Sequence, residues 1–440
     1  MSVSELNVHG VLDGLTAREE AGRPVRVALV GAGRFGTTVA ASVGQMRGMR
    51  LSMVCDLNPA SAKMAADAGS RRGDVTEVTD DLVRVFEAPV DVVVEATGNP
   101  FVAARVADGA IKAGKHVVMV TVEADVLFGA ALAQRARAAG VVYTLADGDQ
   151  PAVTKRMVDW ARAAGYTIVA AGRGTRMYPE DVSGHPDEAF ARYGFDPDIV
   201  ERRRFNARMY NSFRDGSKAQ IEMCALANAT GLVPDRRGMH EPSAGYADLP
   251  SLFRPSVEGG LLANVGVVDL ANAVAADGKS LVPTEITNGV WVVVTSEQPL
   301  LHEDLPFYGL PASPDKRYAA FWRPYHLCGI ETPMSIAEAA LFGKPTAAVE
   351  GAPVADVVAV AKRDLKAGER LDGSGGALVR GQVERIGVAL AERLLPLGLA
   401  DGVELTEPVA AGQPIPRRAV AAPTGLVHEL RLEHEALAQL

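Results

Sequence analysis

The apolar residues of the first third of the chain come in short β-branched runs, separated by longer stretches of helical periodicity. The runs lie at 25–30, 51–55, 90–95, 116–120 and 141–145, and the periodic stretches at 37–46, 101–113 and 125–139. Strands buried on both faces look like this, and their alternation with helices predicts a doubly wound parallel sheet, an α/β Rossmann domain over residues 1–150. After residue 150 the pattern changes. A helix and a strand at 166–171 lead into irregular, charged sequence up to about Asn211, a length that predicts a functional loop or lid. A helix is expected from Ser217 to Ala229, with Ser217 and Gln220 at capping-box spacing, and a strand at 289–295. Residues 151–345 thus form an α+β domain expected to carry the substrate, the catalytic residues and the oligomer contacts. A linker is expected at 345–353. Beyond it come short β runs and two similar turns, Ala367-Gly368-Glu369 and Ala411-Gly412-Gln413. They predict a small all-β domain over 346–440, architectural in role, with its charges on a solvated surface and no catalytic acid, base or nucleophile.

The turn after the first strand is Gly31-Ala32-Gly33-Arg34-Phe35-Gly36. Between a strand and a helix this spacing is the fingerprint of a dinucleotide site. Gly31 permits the tight turn, Gly33 the approach of a pyrophosphate, and Gly36 close packing of helix on strand, while the helix N-terminus offers N–H donors. Arg34 and Phe35 belong to the same expected cofactor contact. The second strand ends in Asp56, whose carboxylate can accept from both ribose hydroxyls and would repel a 2′-phosphate. NAD(H) is therefore favoured over NADP(H), although Asp56 also suits a cap before Pro59, and Arg71 and Arg72, if folded back, can serve NADP(H). Thr97, Gly98 and Glu123 follow the ends of later strands, where ligands collect in this fold, as cofactor contacts or local caps.

Candidate chemistry gathers in the second domain. In the stretch Asp215-Gly-Ser217-Lys218-Ala-Gln220-Ile-Glu222, a lysine stands in the first turn of the expected helix, where the helix dipole favours an acid. Dipole and burial would lower its pKa and suit Lys218 to polarising a carbonyl or passing a proton, with Asp215 or Glu222 orienting it. The bland alternative is a surface ion pair with Glu222 four residues on. Arg173 and Arg176, set among glycines in Gly172-Arg-Gly-Thr-Arg176, are candidate anion ligands or simply solvated arginines. The cluster Phe321-Trp322-Arg323-Pro-Tyr325-His326 offers an anion-binding Arg323 and a proton-shuttling His326, or a core histidine beside a structural arginine. Asp149 is a candidate substrate ligand and, with Asp147, a candidate for a divalent ion, and a metal requirement is left open.

Composition narrows the partners to a small molecule. A net charge of −9 without a long basic run gives nucleic acid no electrostatic footing. The three cysteines, Cys55, Cys224 and Cys328, form no CxxC pair and suit a reducing cytosol. Glu5, Asp13, Glu19 and Glu20 exclude a signal peptide, and Gly, Asp and Pro interrupt every apolar stretch before it reaches membrane-spanning length. A cytoplasmic homo-oligomer, off the membrane, is the expectation.

The three-part layout resembles homoserine dehydrogenase-like NAD(P) oxidoreductases with a C-terminal SAF (β-clip) domain. The SAF likeness rests on Val358-Ala-Val-Ala-Lys362-Arg-Asp-Leu-Lys-Ala-Gly368-Glu and Leu395-Pro-Leu-Gly398-Leu. The chain most resembles the 1-deoxy-D-xylulose 5-phosphate reductoisomerase-like proteins. The shared motifs are Val122-Glu123-Ala-Asp125-Val, Asp215-Gly-Ser-Lys218, Glu222-Met, Ala227-Asn228-Ala-Thr-Gly231-Leu-Val-Pro and Arg323-Pro-Tyr-His326-Leu. The resemblance implies rearrangement of a phosphorylated keto-sugar coupled to hydride transfer. Asp56, and Arg173 where such proteins tend to have lysine, depart from it. They leave room for an NAD-dependent dehydrogenase of a sugar acid or polyol, or for a non-catalytic NAD(P)-sensing protein.

Overall fold

The computed structural model describes residues 10–71, 75–202 and 205–439; Glu5 and Arg72 lie outside them. The chain forms two compact units. The first takes in the chain up to Val153 and two returning segments, Leu327–Gly351 and Gly425–Leu437. Its six strands are β1 (Val25–Val30), β2 (Met49–Cys55), β3 (Glu77–Thr79), β4 (Val92–Glu95), β5 (His116–Met119) and β6 (Tyr143–Leu145). They pair in parallel in the order β3-β2-β1-β4-β5-β6, the doubly wound sheet expected from the alternation. The strand order reverses between β1 and β4, so the turns after these two strands flank the crevice where this fold takes its ligand. Helices start earlier than their apolar periodicity indicates, at Arg34–Gln45, Pro100–Lys112 and Val122–Ala138. Asn99 shows the reason in one case. Its side chain accepts from the N–H groups of Phe101 and Val102, and Pro100 fits the first turn, where no N–H is needed.

The returning segments complete this unit. Ile336, Ala337 and Leu341 of the helix Thr332–Phe342 enter the same apolar core as Val27, Leu29 and Val94. The expected linker is not free but bonds to the edge strand β6. Ala347 O accepts from Leu145 N at 2.7 Å, and Thr144 Oγ1 accepts from the N–H groups of Thr346 and Ala347. The helix Gly425–Leu437 packs on Val122–Ala138, where Arg135 bonds Asp108 at 2.6 Å, Glu433 at 2.6 Å and also Glu429.

The second unit holds Thr154–His326 and Ala352–Thr424. Its main sheet contains β7 (Thr167–Thr175), β8 (Val233–Pro234), β9 (Val267–Asn272), β10 (Val290–Thr295) and β11 (Tyr318–Arg323), in the order β11-β10-β7-β9-β8. β10 runs antiparallel to β7 and β11, and β9 parallel to β7 and β8. The segment expected to be an irregular lid contains three helices, Pro186–Arg192, Pro197–Arg202 and Ala207–Arg214. Phe190, Phe195, Phe205 and Tyr210 pack together there, with Phe190 stacked on Tyr210 at 5.1 Å. These aromatics are too sparse in sequence to show a period. The C-terminal β domain pairs β12 (Ala355–Ala361) with β14 (Val379–Arg385), and β13 (Arg370–Asp372) with β15 (Asp401–Glu404), all antiparallel. Gly368 and Gly412 of the two similar turns both adopt left-handed backbone. Between these strands and the main sheet lies the helix Ser217–Thr230, every residue of which is buried.

Among the described residues, no helix is long and apolar enough to cross a membrane, and no group of three or more His, Cys, Asp or Glu side chains is placed to hold a metal ion.

Candidate active site

The glycine loop fits a dinucleotide by three separate steric facts. A Cβ on Gly31 (φ +96°) would lie 2.4 Å from Ala96 O, so only glycine lets β1 pass this close to the turn after β4. A Cβ on Gly36 would lie 2.0 Å from Gly31 O, so its absence seats the helix on the loop. A Cβ on Gly33 would meet no protein atom within 4 Å. The open space beside Gly33 lies at the N-terminus of Arg34–Gln45, which no side chain caps among the described residues. Helix N–H donors facing open space are what a pyrophosphate requires. Arg34 is exposed on the first turn and Phe35 packs against the core. Asp56 directly follows β2 and accepts from Ala32 N at 2.6 Å and Asn58 N at 2.7 Å. It thereby braces the loop and the next turn together, so the cap reading holds, and each oxygen keeps a second lone pair for a ribose hydroxyl.

Thr97, Gly98 and Glu123 border a polar knot that the sequence did not single out. Its centre is Glu95, the one acid in β4, with no exposed surface. Its carboxylate accepts from Thr97 N (2.7 Å), Thr97 Oγ1 (2.6 Å), Thr121 Oγ1 (3.0 Å) and Thr121 N (3.2 Å), while burial still pushes its pKa up. Gly98 N donates to Thr121 Oγ1 at 3.0 Å. Glu95 thus fixes the two turns after β4 and β5. Glu123 stands half-buried on the first turn of Val122–Ala138. The available signal was an acid closing a run of valines. Asp149 is also a local cap, accepting from Gln150 N at 3.0 Å, and Asp147 accepts from Gly148 N at 3.0 Å.

In the second unit, Lys218 occupies the first turn of Ser217–Thr230 with 8 % of its surface exposed, and Glu222, one turn on, has 1 %. The surface ion-pair alternative is therefore wrong. Glu222 bonds the guanidinium of Arg173, which is itself buried and donates to Gly174 O at 2.9 Å. The expected capping box is replaced as well. The N-cap is Gly216 in left-handed backbone, Ser217 N donates to Asp215 Oδ1 at 2.8 Å, and Ser217 and Gln220 turn away to accept from Gly381 N and Val383 N. Asp215 has no exposed surface and is held at 2.7 Å by Lys362, the residue after β12, yet burial outweighs that partner and its pKa is raised.

The anion loop is corrected too. Residues 172–175 continue β7, and the glycines serve close packing, since a Cβ on Gly172 or Gly174 would come within 1.8 Å of Asp269 O or Ile286 O. Arg173 is thus a buried ion-pair partner of Glu222. Arg176, just past the strand, donates to Tyr178 Oη at 2.9 Å. Arg323, the last residue of β11, lies over the Tyr325 ring at 4.4 Å. His326 Nδ1 donates to Asn288 O at 2.8 Å, which in the neutral ring leaves Nε2 as the acceptor. The structure brings Arg173, Lys218 and Glu222 onto one helix–strand contact and sets Arg176, Arg323 and His326 at strand ends and turns.

An acid–histidine group in the second unit escaped the sequence reading because its members are dispersed. Asp269 of β9, with no exposed surface, accepts from His240 Nδ1 at 2.7 Å, His240 N at 3.1 Å and Glu241 N at 3.1 Å. Met239 and Glu241, on either side of His240, have left-handed backbone (φ 66° and 48°), a strain these tethers sustain. The Glu241 carboxyl accepts from Gln220 Nε2 at 2.7 Å, and burial pushes its pKa up to about 7.

Three family models match the chain. The NAD-binding domain of homoserine dehydrogenase covers residues 31–146, the catalytic domain of oxidoreductase DRL residues 148–332, and the SAF domain residues 356–419. No curated protein matches. Among solved structures, the chain is similar to scyllo-inositol dehydrogenase of Lactobacillus casei, with 16 % identity over 62 % of this chain and 74 % of that one, at a TM-score of 0.35. It is similar to biliverdin reductase of Synechocystis, with 22 % identity over 41 % and 55 % and a TM-score of 0.28. It also resembles an NAD-binding oxidoreductase of Klebsiella pneumoniae, with 24 % identity over 35 % and 43 % and a TM-score of 0.28. The chain is an NAD(P)-dependent oxidoreductase that joins a homoserine dehydrogenase-type NAD-binding domain to a DRL catalytic domain and a C-terminal SAF domain.

Proposed function

We propose that the enzyme transfers hydride to or from a carbonyl carbon of a small, polyhydroxylated, anionic substrate, and that it acts as a reductoisomerase on a phosphorylated keto-sugar. One observation carries this reading: Lys218 is buried in the first turn of a wholly buried helix, one turn from the Arg173–Glu222 pair. The nicotinamide, bound through the Gly31–Gly36 loop, supplies or accepts the hydride. Lys218 polarises the carbonyl oxygen and gives it a proton as the carbon is reduced, or takes that proton back in oxidation. Glu222, neutralised by Arg173, orients without adding net charge near the ammonium. Arg176, Arg323 and His326 hold the anionic or hydroxylated end of the substrate. Asp56 at the end of β2 favours a second reading, oxidation of a sugar acid or polyol with NAD as acceptor.

The test is a screen of sugar phosphates and sugar acids with both cofactors, followed by absorbance of the reduced nicotinamide and by product mass. Lys218→Ala is expected to lower kcat by roughly a hundredfold or more, with NAD(H) affinity near normal. Turnover preserved in that variant, with only a lower melting temperature, would assign the proton to another group, His326 first. Turnover of sugar acids alone would replace the reductoisomerase by the dehydrogenase.

A further inference from the structure

Lys362 belongs to the SAF domain, whose charges were expected to face solvent, yet its side chain is 1 % exposed. Its ammonium has three donors, and three acceptors surround it: Asp215 Oδ2 at 2.7 Å, Gly376 O at 2.6 Å and Gly184 O at 3.1 Å. Asn211 Nδ2 donates to Gly184 O at 3.1 Å and Gly375 O at 2.9 Å, closing the same knot from another side. One lysine thus ties the SAF loop at Gly376, the segment before Pro186–Arg192, and the turn from which the Lys218 helix starts.

The same attachment continues along that helix. Ser217 Oγ accepts from Gly381 N at 2.9 Å, Gln220 Oε1 from Val383 N at 2.7 Å, and Asn228 Oδ1 from Val354 N at 2.8 Å and Ala355 N at 2.9 Å. Residues 217, 220 and 228 share one side of the helix, whereas 218 and 222 lie on the other. The SAF strands therefore grip the back of the helix along its length, and its other side carries Lys218 and Glu222. A buried ion pair is weak as a source of stability, because desolvation offsets its attraction; its use lies in fixing position.

We propose that Lys362 is a positioning residue: through Asp215 it sets where the Lys218 helix begins, and so where the Lys218 ammonium stands. The inference rests on the reading of Lys218 as the proton-passing group. The experiment uses the full chain with Lys362→Met, Asp215→Asn and the double variant. Melting temperature, turnover of the substrate found in the screen, and acetylation of Lys218 relative to exposed Lys279 by acetic anhydride are measured together.

Each single variant is expected to lose stability, since it strands a buried charge or empties its site. Each should also lower kcat at least tenfold with little change in KM, and shift the Lys218-to-Lys279 acetylation ratio several-fold. The double variant is expected to regain melting temperature without regaining kcat or the native ratio. Recovery of all three in the double variant, or unchanged kcat and ratio in the singles, would make the pair merely structural and overturn the proposal. Where the methionine variants do not fold, Lys362→Arg decides the matter. It keeps the charge without the compact three-way geometry, so a native acetylation ratio and native kcat would again overturn the proposal. Full turnover in Lys218→Ala defeats the catalytic reading, whereas the acetylation ratio reports the position of Lys218 independently.

Discussion

Gly33 and Gly36 stand three residues apart and are indispensable for opposite reasons. A side chain at Gly36 strikes the protein itself, 2.0 Å from Gly31 O, while one at Gly33 strikes nothing until a dinucleotide arrives. Gly33→Val is accordingly expected to keep a near-native melting temperature and to lose binding of both NAD(H) and NADP(H), read by fluorescence titration. Normal binding in the folded variant would place the dinucleotide elsewhere. Asp125 gives a residue-scale prediction of another kind. It is buried on the helix Val122–Ala138, accepts from Tyr143 Oη at 3.0 Å, and burial raises its pKa from 3.8 to about 7. Between those values the folded protein holds a proton that the unfolded chain has released, so stability falls as pH rises through that window and levels off above it. The full effect corresponds to at most roughly 4 kcal/mol. Glu241, Glu95 and Asp215, also raised by burial, add slopes of the same sign, so Asp125→Asn should make the pH 4 to 7 slope in urea melts shallower without abolishing it, and an unchanged slope would assign it to those groups. The sequence motif contained Asp125 but said nothing of its burial, which depends on where β6 places Tyr143.

At the level of elements, the alternating runs of the first unit predicted the sheet and its parallel direction because its central strands are buried on both faces, and composition alone betrays that, whereas the short edge strand β3, with Val78 exposed, left no such run. The glycine-rich end of β7 misled for an equally physical reason. Glycines signal turns when they are needed for backbone freedom, but Gly172 and Gly174 are needed for lack of a side chain, and the carbonyls they avoid belong to residues about a hundred positions away. Gly174→Ala should therefore cost several kcal/mol, within the range for overpacked sites where the backbone must move, and thermal melting should reveal it. A loss below about 0.5 kcal/mol, the scale of an unconstrained surface change, would return this segment to a loop. The helix Ser217–Thr230 was partly legible: its existence, Lys218 and Glu222 were visible, but its burial on all sides was not. Arg173 reaches it from β7, Lys362 reaches the turn at its start from just beyond β12, and no local pattern connects residues 173, 218 and 362.

For the whole molecule, chain order and packing order differ, and a contiguous division at 150 and 345 could not anticipate this. The first unit takes back Leu327–Gly351 and then Gly425–Leu437. Removing residues from 425 onward strips Glu429 and Glu433 from Arg135 and uncovers one side of Val122–Ala138. This truncation is expected to lower the melting temperature of the NAD-binding unit by at least several degrees and to weaken cofactor retention, even though the glycine loop itself is intact. An unchanged melting temperature with full NAD(H) binding would make the last helix an ornament. The interleaving also bears on how the enzyme is made. Between Val153 and Gly425 lie 271 residues, which a ribosome adds in roughly 14–54 s at about 5–20 residues per second. Until Phe342 has been made the nascent Rossmann sheet stands without both returning helices, and until Leu437 without the last of them, its alanine- and valine-rich surface open to other chains, so a slow or interrupted translation would harm the cofactor site first.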